Sequence, residues 1–180
     1  MKRLFFALWP DEATRQQCRK IQRAVRGYGR PVSPNNLHLT LVFLGNVDQE
    51  RLIAMTKAAA DIDAQPITLV FDHLLYWKRP AVVCLGVESI APTVSLLVSQ
   101  LTQAAVRNEI PVDSRPYQPH VTLLRKANTL PAIQIEPLEW RADAFCLVES
   151  CSMPTGVEYR VIAHWACAGM PGPDSTTSAV

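Results

Sequence analysis

Acidic residues are missing from the whole stretch between Glu12 and Asp48, although the formal net charge of the chain is only +2. Arg15, Arg19, Lys20, Arg23, Arg26 and Arg30 fall inside that gap, so the charge is locally positive within a nearly balanced total. Long apolar runs are missing too. None approaches the roughly 20 residues that a membrane-spanning helix needs, so no membrane partner is expected. MKRLFFALW at the start imitates a secretion signal, but Pro10 and Asp11-Glu12 stop it and no small-residue cleavage pattern follows. The expected location is the cytoplasm. No C-x-x-C pair occurs among Cys18, Cys84, Cys146, Cys151 and Cys167, and their odd, scattered spacing supports neither a disulfide framework nor a structural zinc site. Cys18, Cys84 and Cys146 sit among apolar neighbours and read as small core residues.

What the chain does have is an ordinary globular composition, 48% apolar and 19% charged over 180 residues, enough for one domain or two small lobes sharing a core. Strand and helix patterns alternate. Arg3 to Trp9 is apolar throughout and predicts a strand. Thr14, Cys18, Ile21, Val25 and Tyr28 recur at helical spacing and predict a helix from Asp11 to about Tyr28. Its basic residues Arg15, Arg19, Arg23 and Arg26 recur on another face. Leu37 to Leu44 predicts a strand, and Asp48 to about Ile62 a helix with Leu52, Met55 and Ala59 inward. Ile67 to Trp77 and Ala81 to Val87 read as paired strands around Lys78-Arg79-Pro80. A third helix is expected from Pro92 to about Glu109, then strands at His120–Leu124, Ala144–Cys151 and Glu158–Ala166. Residues 1–167 are expected to form one bilobal domain. Residues 168–180, chiefly MPGPDSTTSAV, lack apolar periodicity and are expected to form a disordered tail.

Two parts of this order match. RLFFALW, an amphipathic helix, Arg30-Pro31 and NLHLTL are followed later by AVVCLGV, an amphipathic helix, Arg115-Pro116 and QPHVTL. The repeat of strand, helix, Arg-Pro and His-apolar-Thr-Leu points to an internal duplication about a pseudo-twofold axis.

Side chains two apart on a strand share a face. His38 and Thr40 therefore project together, with Leu39, Leu41 and Phe43 expected on the opposite, core face. His120 and Thr122 likewise project opposite Val121 and Leu123. A lone His-x-Thr is most often structural, with an imidazole half-exposed on a strand and a threonine that simply favours one. Two copies at matching places in a duplicated unit can face one cleft. A pair of imidazoles with ordinary pKa values near 6.5 can act as acid and base, one neutral and one charged. The threonine hydroxyls can hold phosphoryl oxygens between them. Zinc hydrolysis would need three ligands, and no Asp or Glu lies close to either motif. No G-x-S-x-G elbow supports a serine nucleophile. Phosphodiester cleavage fits this equipment without metal or cofactor. His73 and His164 lack a threonine partner and read as structural.

The motifs His38-Leu39-Thr40-Leu41 and His120-Val121-Thr122-Leu123 resemble the two HxTx signatures of the two-histidine phosphoesterase superfamily. RLFFAL, NLHLTLVFLG, RPYQPHVTLLR and FCLVES narrow the resemblance to the bacterial RNA 2',3'-cyclic phosphodiesterases, also called 2'-5' RNA ligases, over about residues 3 to 167. The resemblance implies an α+β, bilobal fold with antiparallel sheets lining a central cleft. It implies hydrolysis of 2',3'-cyclic phosphate ends of RNA to 2'-phosphates without a metal, and the reverse geometry would join such an end to a 5'-hydroxyl; a monomer is expected, although the sequence does not reveal the oligomeric state. By motif position, His38 would be the proton donor and His120 the proton acceptor, with Thr40 and Thr122 holding the phosphate. Only the resemblance assigns which histidine gives and which takes.

Arg125 is a further phosphate-binding candidate, although its odd spacing from His120 requires a bulge or strand end to turn it inward. Phe6 and Tyr159 are candidates for base stacking, and the basic helix face for RNA phosphates. In each case the plainer reading is a core aromatic or a solvated charged face. Two other functions stay open: a non-catalytic RNA- or nucleotide-binding module, and a related phosphoesterase acting on another cyclic or 2'-5'-linked nucleotide. A pure phosphate binder would favour Arg or Lys over a pair of imidazoles.

Overall fold

The computed structural model describes residues 1–154 and 156–168. The elements run β1 (Lys2–Leu8), α1 (Glu12–Ala24), β2 (Arg30–Pro31), β3 (Leu39–Val47), α2 (Gln49–Ala60), β4 (Ile67–Phe71), β5 (His73–Trp77), β6 (Val82–Gly86), α3 (Pro92–Arg107), β7 (His120–Arg125), β8 (Leu138–Ala142), β9 (Ala144–Met153) and β10 (Gly156–Ala166). The expected tail at 168–180 lies, from residue 169 on, outside the described residues. None of the helices described is long and apolar enough to cross a membrane.

The helices start where the sequence provides caps. The Asp11 carboxylate accepts from the Thr14 amide at 2.7 Å, and the Asp48 carboxylate from the Arg51 amide at 2.8 Å. Such a cap is worth about 1 kcal/mol because it satisfies an amide that the helix itself cannot. α3 starts on Pro92 and buries Val94, Leu97, Leu101, Ala104 and Ala105. The predicted helix over 11–28 is shorter than its periodicity: α1 ends at Ala24 and a 3₁₀ turn at Arg26–Tyr28 carries the remainder.

The fold is α+β with all strand pairs antiparallel. The main sheet has the order β10-β9-β1-β3-β7-β6-β5, with β2 added to β7. β1-α1-β3 and β6-α3-β7 are the duplicated units, and their inner strands β3 and β7 meet through one residue pair, Leu39 with Val121. The two halves are therefore joined into one sheet at a narrow seam. Leu4, Phe6 and Leu8 on β1, Leu39 and Leu41 on β3, and Leu97 and Leu101 on α3 share one buried core with Trp140.

The expected strand Ile67–Trp77 is in fact two. Ile67, Leu69 and Phe71 are buried in alternation, but the next buried position is Leu74. The phase slips at Asp72, so β4 pairs with β8 while β5 pairs with β6. β8 went unpredicted because LEWRA is short and follows a loop, although its burial alternates cleanly. The five cysteines are unpaired, and Cys18, Cys84, Cys146 and Cys167 are buried.

Candidate active site

An antiparallel register centred on Leu39 and Val121 sets His38 against Thr122 and Thr40 against His120. Both histidines and both threonines line one cleft of about 900 Å³. Each imidazole is tethered in the same way. The His38 Nδ1–H donates to the Asn36 carbonyl at 2.7 Å, and the His120 Nδ1–H donates to the Gln118 carbonyl at 2.8 Å. With Nδ1 holding the proton of the neutral ring, Nε2 is left as the basic nitrogen. His38 Nε2 lies 3.1 Å from the Thr40 hydroxyl, which can donate to it. His120 Nε2 has no hydrogen-bond partner among the described residues. Thr122 is held from another direction, by the Cys84 thiol at 3.6 Å.

Burial pushes the His38 imidazole down from 6.5 to about 4. The charges of His120 and Arg125 act the same way, and the hydrogen bond to Asn36 opposes them. His120 is lowered too, chiefly by burial, against the hydrogen bond to Gln118. With burial lowering both, both rings are neutral near pH 7. A phosphodiester anion entering between them would supply the negative charge that draws a proton onto one ring.

Arg125 lines the cleft, and a bulge is what puts it there. β6 pairs Cys84 with Thr122 but Val83 with Leu124, so Leu123 is an extra residue on β7. Leu123 and Leu124 are both buried, and the parity of the strand flips before Arg125. β3 carries the same device. β1 pairs Ala7 with Thr40 but Phe6 with Val42, leaving Leu41 as the extra residue. Phe43 was expected in the core, and here the expectation fails. It is 43% exposed and lines the cleft. Phe43 and Arg125 stand at the same step after their histidines, on opposite ends of the seam. That correspondence is legible in HLTLVF and HVTLLR once the units are aligned.

Phe6 is not a stacking face. It is fully buried, with ring contacts to Phe145 at 6.3 Å and Trp165 at 5.9 Å. Its neighbour Phe5, on the other face of β1, is the one that meets the site. Phe5 and Tyr159 each sit 4.9 Å from the His38 ring, and Trp9 stacks on it at 5.9 Å. His120 has one aromatic contact, Trp77 at 4.4 Å. Tyr117 buttresses the seam by donating to the Thr40 carbonyl at 3.0 Å. Phe5, Trp9, Trp77 and Tyr117 went unassigned because their spacing along the chain is indistinguishable from that of core residues, whereas Tyr159, a stacking candidate, lines the cleft. On α1, Arg15 is tied to Glu12 and to the Pro10 carbonyl, whereas Arg19, Arg23 and Arg26 are exposed. His73 is clear of the cleft and bonded to Asp72. Among the described residues no group of three or more His, Cys, Asp or Glu is placed to hold a metal ion.

Comparison with known proteins decides the family. The model of the LigT-like phosphoesterases matches residues 8–84. The RNA 2',3'-cyclic phosphodiesterase of Escherichia coli is 34% identical over 77% of this chain and 80% of its own length. The chain belongs to the LigT-like phosphoesterase family. A second relative, the RNA 2',3'-cyclic phosphodiesterase of Thermus thermophilus, is 32% identical over 94% of this chain and 92% of its own. The crystal structure of E. coli LigT complexed with 3'-AMP superposes with a TM-score of 0.84 and 32% identity, covering 93% of this chain and 99% of that one. For this LigT-like phosphoesterase the matched stretch includes the first His-x-Thr strand, and both longer alignments reach well beyond it.

Proposed function

We propose that this protein hydrolyses 2',3'-cyclic phosphate ends of RNA to 2'-phosphates, without a metal, through His38 and His120. The observation that carries the reading is the paired tether. Two imidazoles face one cleft, each with Nδ1 fixed on a carbonyl and Nε2 left to act. The names of the relatives supply the substrate class.

In this reading His120 Nε2 takes a proton from water as the water oxygen attacks phosphorus. The bond from phosphorus to the 3' oxygen breaks in line, and protonated His38 gives its proton to that oxygen. A 3'-hydroxyl and a 2'-phosphate result. Thr40, Thr122 and Arg125 hold the non-bridging oxygens, and their hydrogen bonds strengthen as charge gathers there. A 5'-hydroxyl in place of water would yield a 2'-5' linkage. The aromatic walls exclude bulk water, which strengthens each polar contact. The protein works as a cytoplasmic monomer.

The test gives purified protein a short RNA ending in 2',3'-cyclic phosphate in the presence of EDTA. A 2'-phosphate product is expected. Absence of turnover, or its abolition by the chelator, overturns the reading. A second function, binding without chemistry, would show as retained affinity for the RNA end with no product.

A further inference from the structure

We infer that the RNA chain leaves the cleft in one direction, over a cationic lip at the Arg125 end of the seam, so that the protein holds a single-stranded oligonucleotide along several phosphates beyond the terminal one. The inference rests on the proposed RNA activity and adds a surface to it. Arg30 on β2 pairs directly with Arg125 on β7. Directly paired residues project to the same face, so two like charges stand side by side, an arrangement that is destabilising unless an anion joins it. Val82 pairs with Arg125 on its other side and with Trp77 beyond, which brings the Lys78-Arg79 turn to the same end. Lys126 follows immediately along the chain. All five cations are exposed, and among the described residues none of them is in an ion pair.

Several cations elsewhere are engaged instead. At the other end of the seam Asp113 neutralises Arg115, and Arg3 is parked over the Phe43 ring at 4.9 Å. Arg51, Arg141 and Arg160 have carboxylate partners, as does Lys2. Arg26, Arg23 and Arg19, earlier in the acid-free segment, are exposed as well. A run of exposed, unpaired cations that begins at the catalytic cleft and includes a half-buried tryptophan suits single-stranded RNA, which offers a phosphate at each step and bases that can stack.

The experiment compares two substrates, a dinucleotide and a decamer, both ending in 2',3'-cyclic phosphate, across a range of salt. The variant Arg30→Glu/Lys126→Glu is expected to raise KM for the decamer at least tenfold with kcat unchanged. Its dependence of log KM on log salt should flatten by about 1.4, from two lost phosphate contacts at about 0.7 each. The dinucleotide should be hydrolysed as by the parent. Equal effects on both substrates, or no effect on the decamer, overturn the lip. If the parent turns over neither substrate, the activity fails, and anisotropy of a labelled decamer decides the lip by itself. Loss of affinity in the variant upholds it, and unchanged affinity overturns it. Arg30→Gln/Lys126→Gln, with a smaller loss in the same direction, guards against a folding defect in the charge reversal.

Discussion

The two His-x-Thr strands each have the same kind of tether, a bulge and an outer partner strand of their own, yet they are not interchangeable. In the first half Thr40 leans on its own histidine, and three aromatic rings surround His38. In the second, Thr122 is held by Cys84, His120 keeps Nε2 open, and one aromatic touches it. Five positions on, the first strand presents Phe43 and the second Arg125. A duplicated unit thus provides two imidazoles of similar geometry, and the residues around them have diverged. The first is enclosed by rings, strongly desolvated and within the field of Arg125; the second is less crowded and keeps Nε2 unbonded. The lesson is that symmetry places the imidazoles, while their neighbours give the two rings different surroundings.

The largest expected effect comes from removing either ring. His38→Ala and His120→Ala should each lower kcat at least about a hundredfold, with Tm nearly unchanged. A substrate whose leaving 3' oxygen is replaced by sulfur needs little help from an acid. It should restore His38→Ala and leave His120→Ala inactive, and restoration of the second variant instead would exchange the two roles.

Next comes pH. Both imidazoles are lowered in the free protein, His38 to about 4, and a bound phosphate anion raises them. The bell of kcat/KM, which reports free protein, should therefore lie at lower pH than the bell of kcat. Coincident bells would contradict the coupling. The same shifts link pH to stability. A buried neutral imidazole stabilises the fold fully above pH 6.5, and that contribution is lost as pH falls from 6.5 toward about 4. Thermal melts should show Tm declining over this window, and His38→Gln should make the decline shallower.

Smaller effects should separate the threonines. Thr122→Val removes a phosphate donor and should raise KM about tenfold with the pH profile in place. Thr40→Val also removes the hydroxyl donated to neutral His38, so its acid limb should move to higher pH. Identical profiles for the two variants would erase the difference between the halves.

The smallest concerns the scaffold. The buried Gln22 amide donates to the carbonyls of Leu123, at the β7 bulge, and Val32, at 2.8 and 2.9 Å. Gln22→Ala should cost about 1–3 kcal/mol in urea unfolding, because the Val32 carbonyl loses its side-chain donor and the Leu123 carbonyl keeps only the Val32 amide. A neutral result would mean that the bulge which aims Arg125 is held by the strands alone.

Much of this was legible along the chain. The helix starts at Asp11 and Asp48, the apolar stripe of α3 and the duplicated His-x-Thr pattern are local signals, and the elements they announce are present. The register slip at Asp72 and the bulges at Leu41 and Leu123 were not legible. A bulge inserts one residue into an unbroken apolar run, LTLVF or VTLLR, and the run reads alike with or without it. Strict alternation consequently sent Phe43 to the core and left the place of Arg125 undecided, while Phe6 and Phe5, equal in hydrophobicity, could not be told apart.

The sequence by itself determined which side chains could do chemistry and that they came in two matched sets, because residue type and spacing are properties of one strand. Only the tertiary structure decided that Leu39 meets Val121, that both imidazoles look into one cleft, and that a cation and an aromatic ring line its opposite ends. Those facts depend on pairing and strand parity between segments far apart in the chain, where a shift of one residue turns every side chain to the opposite face.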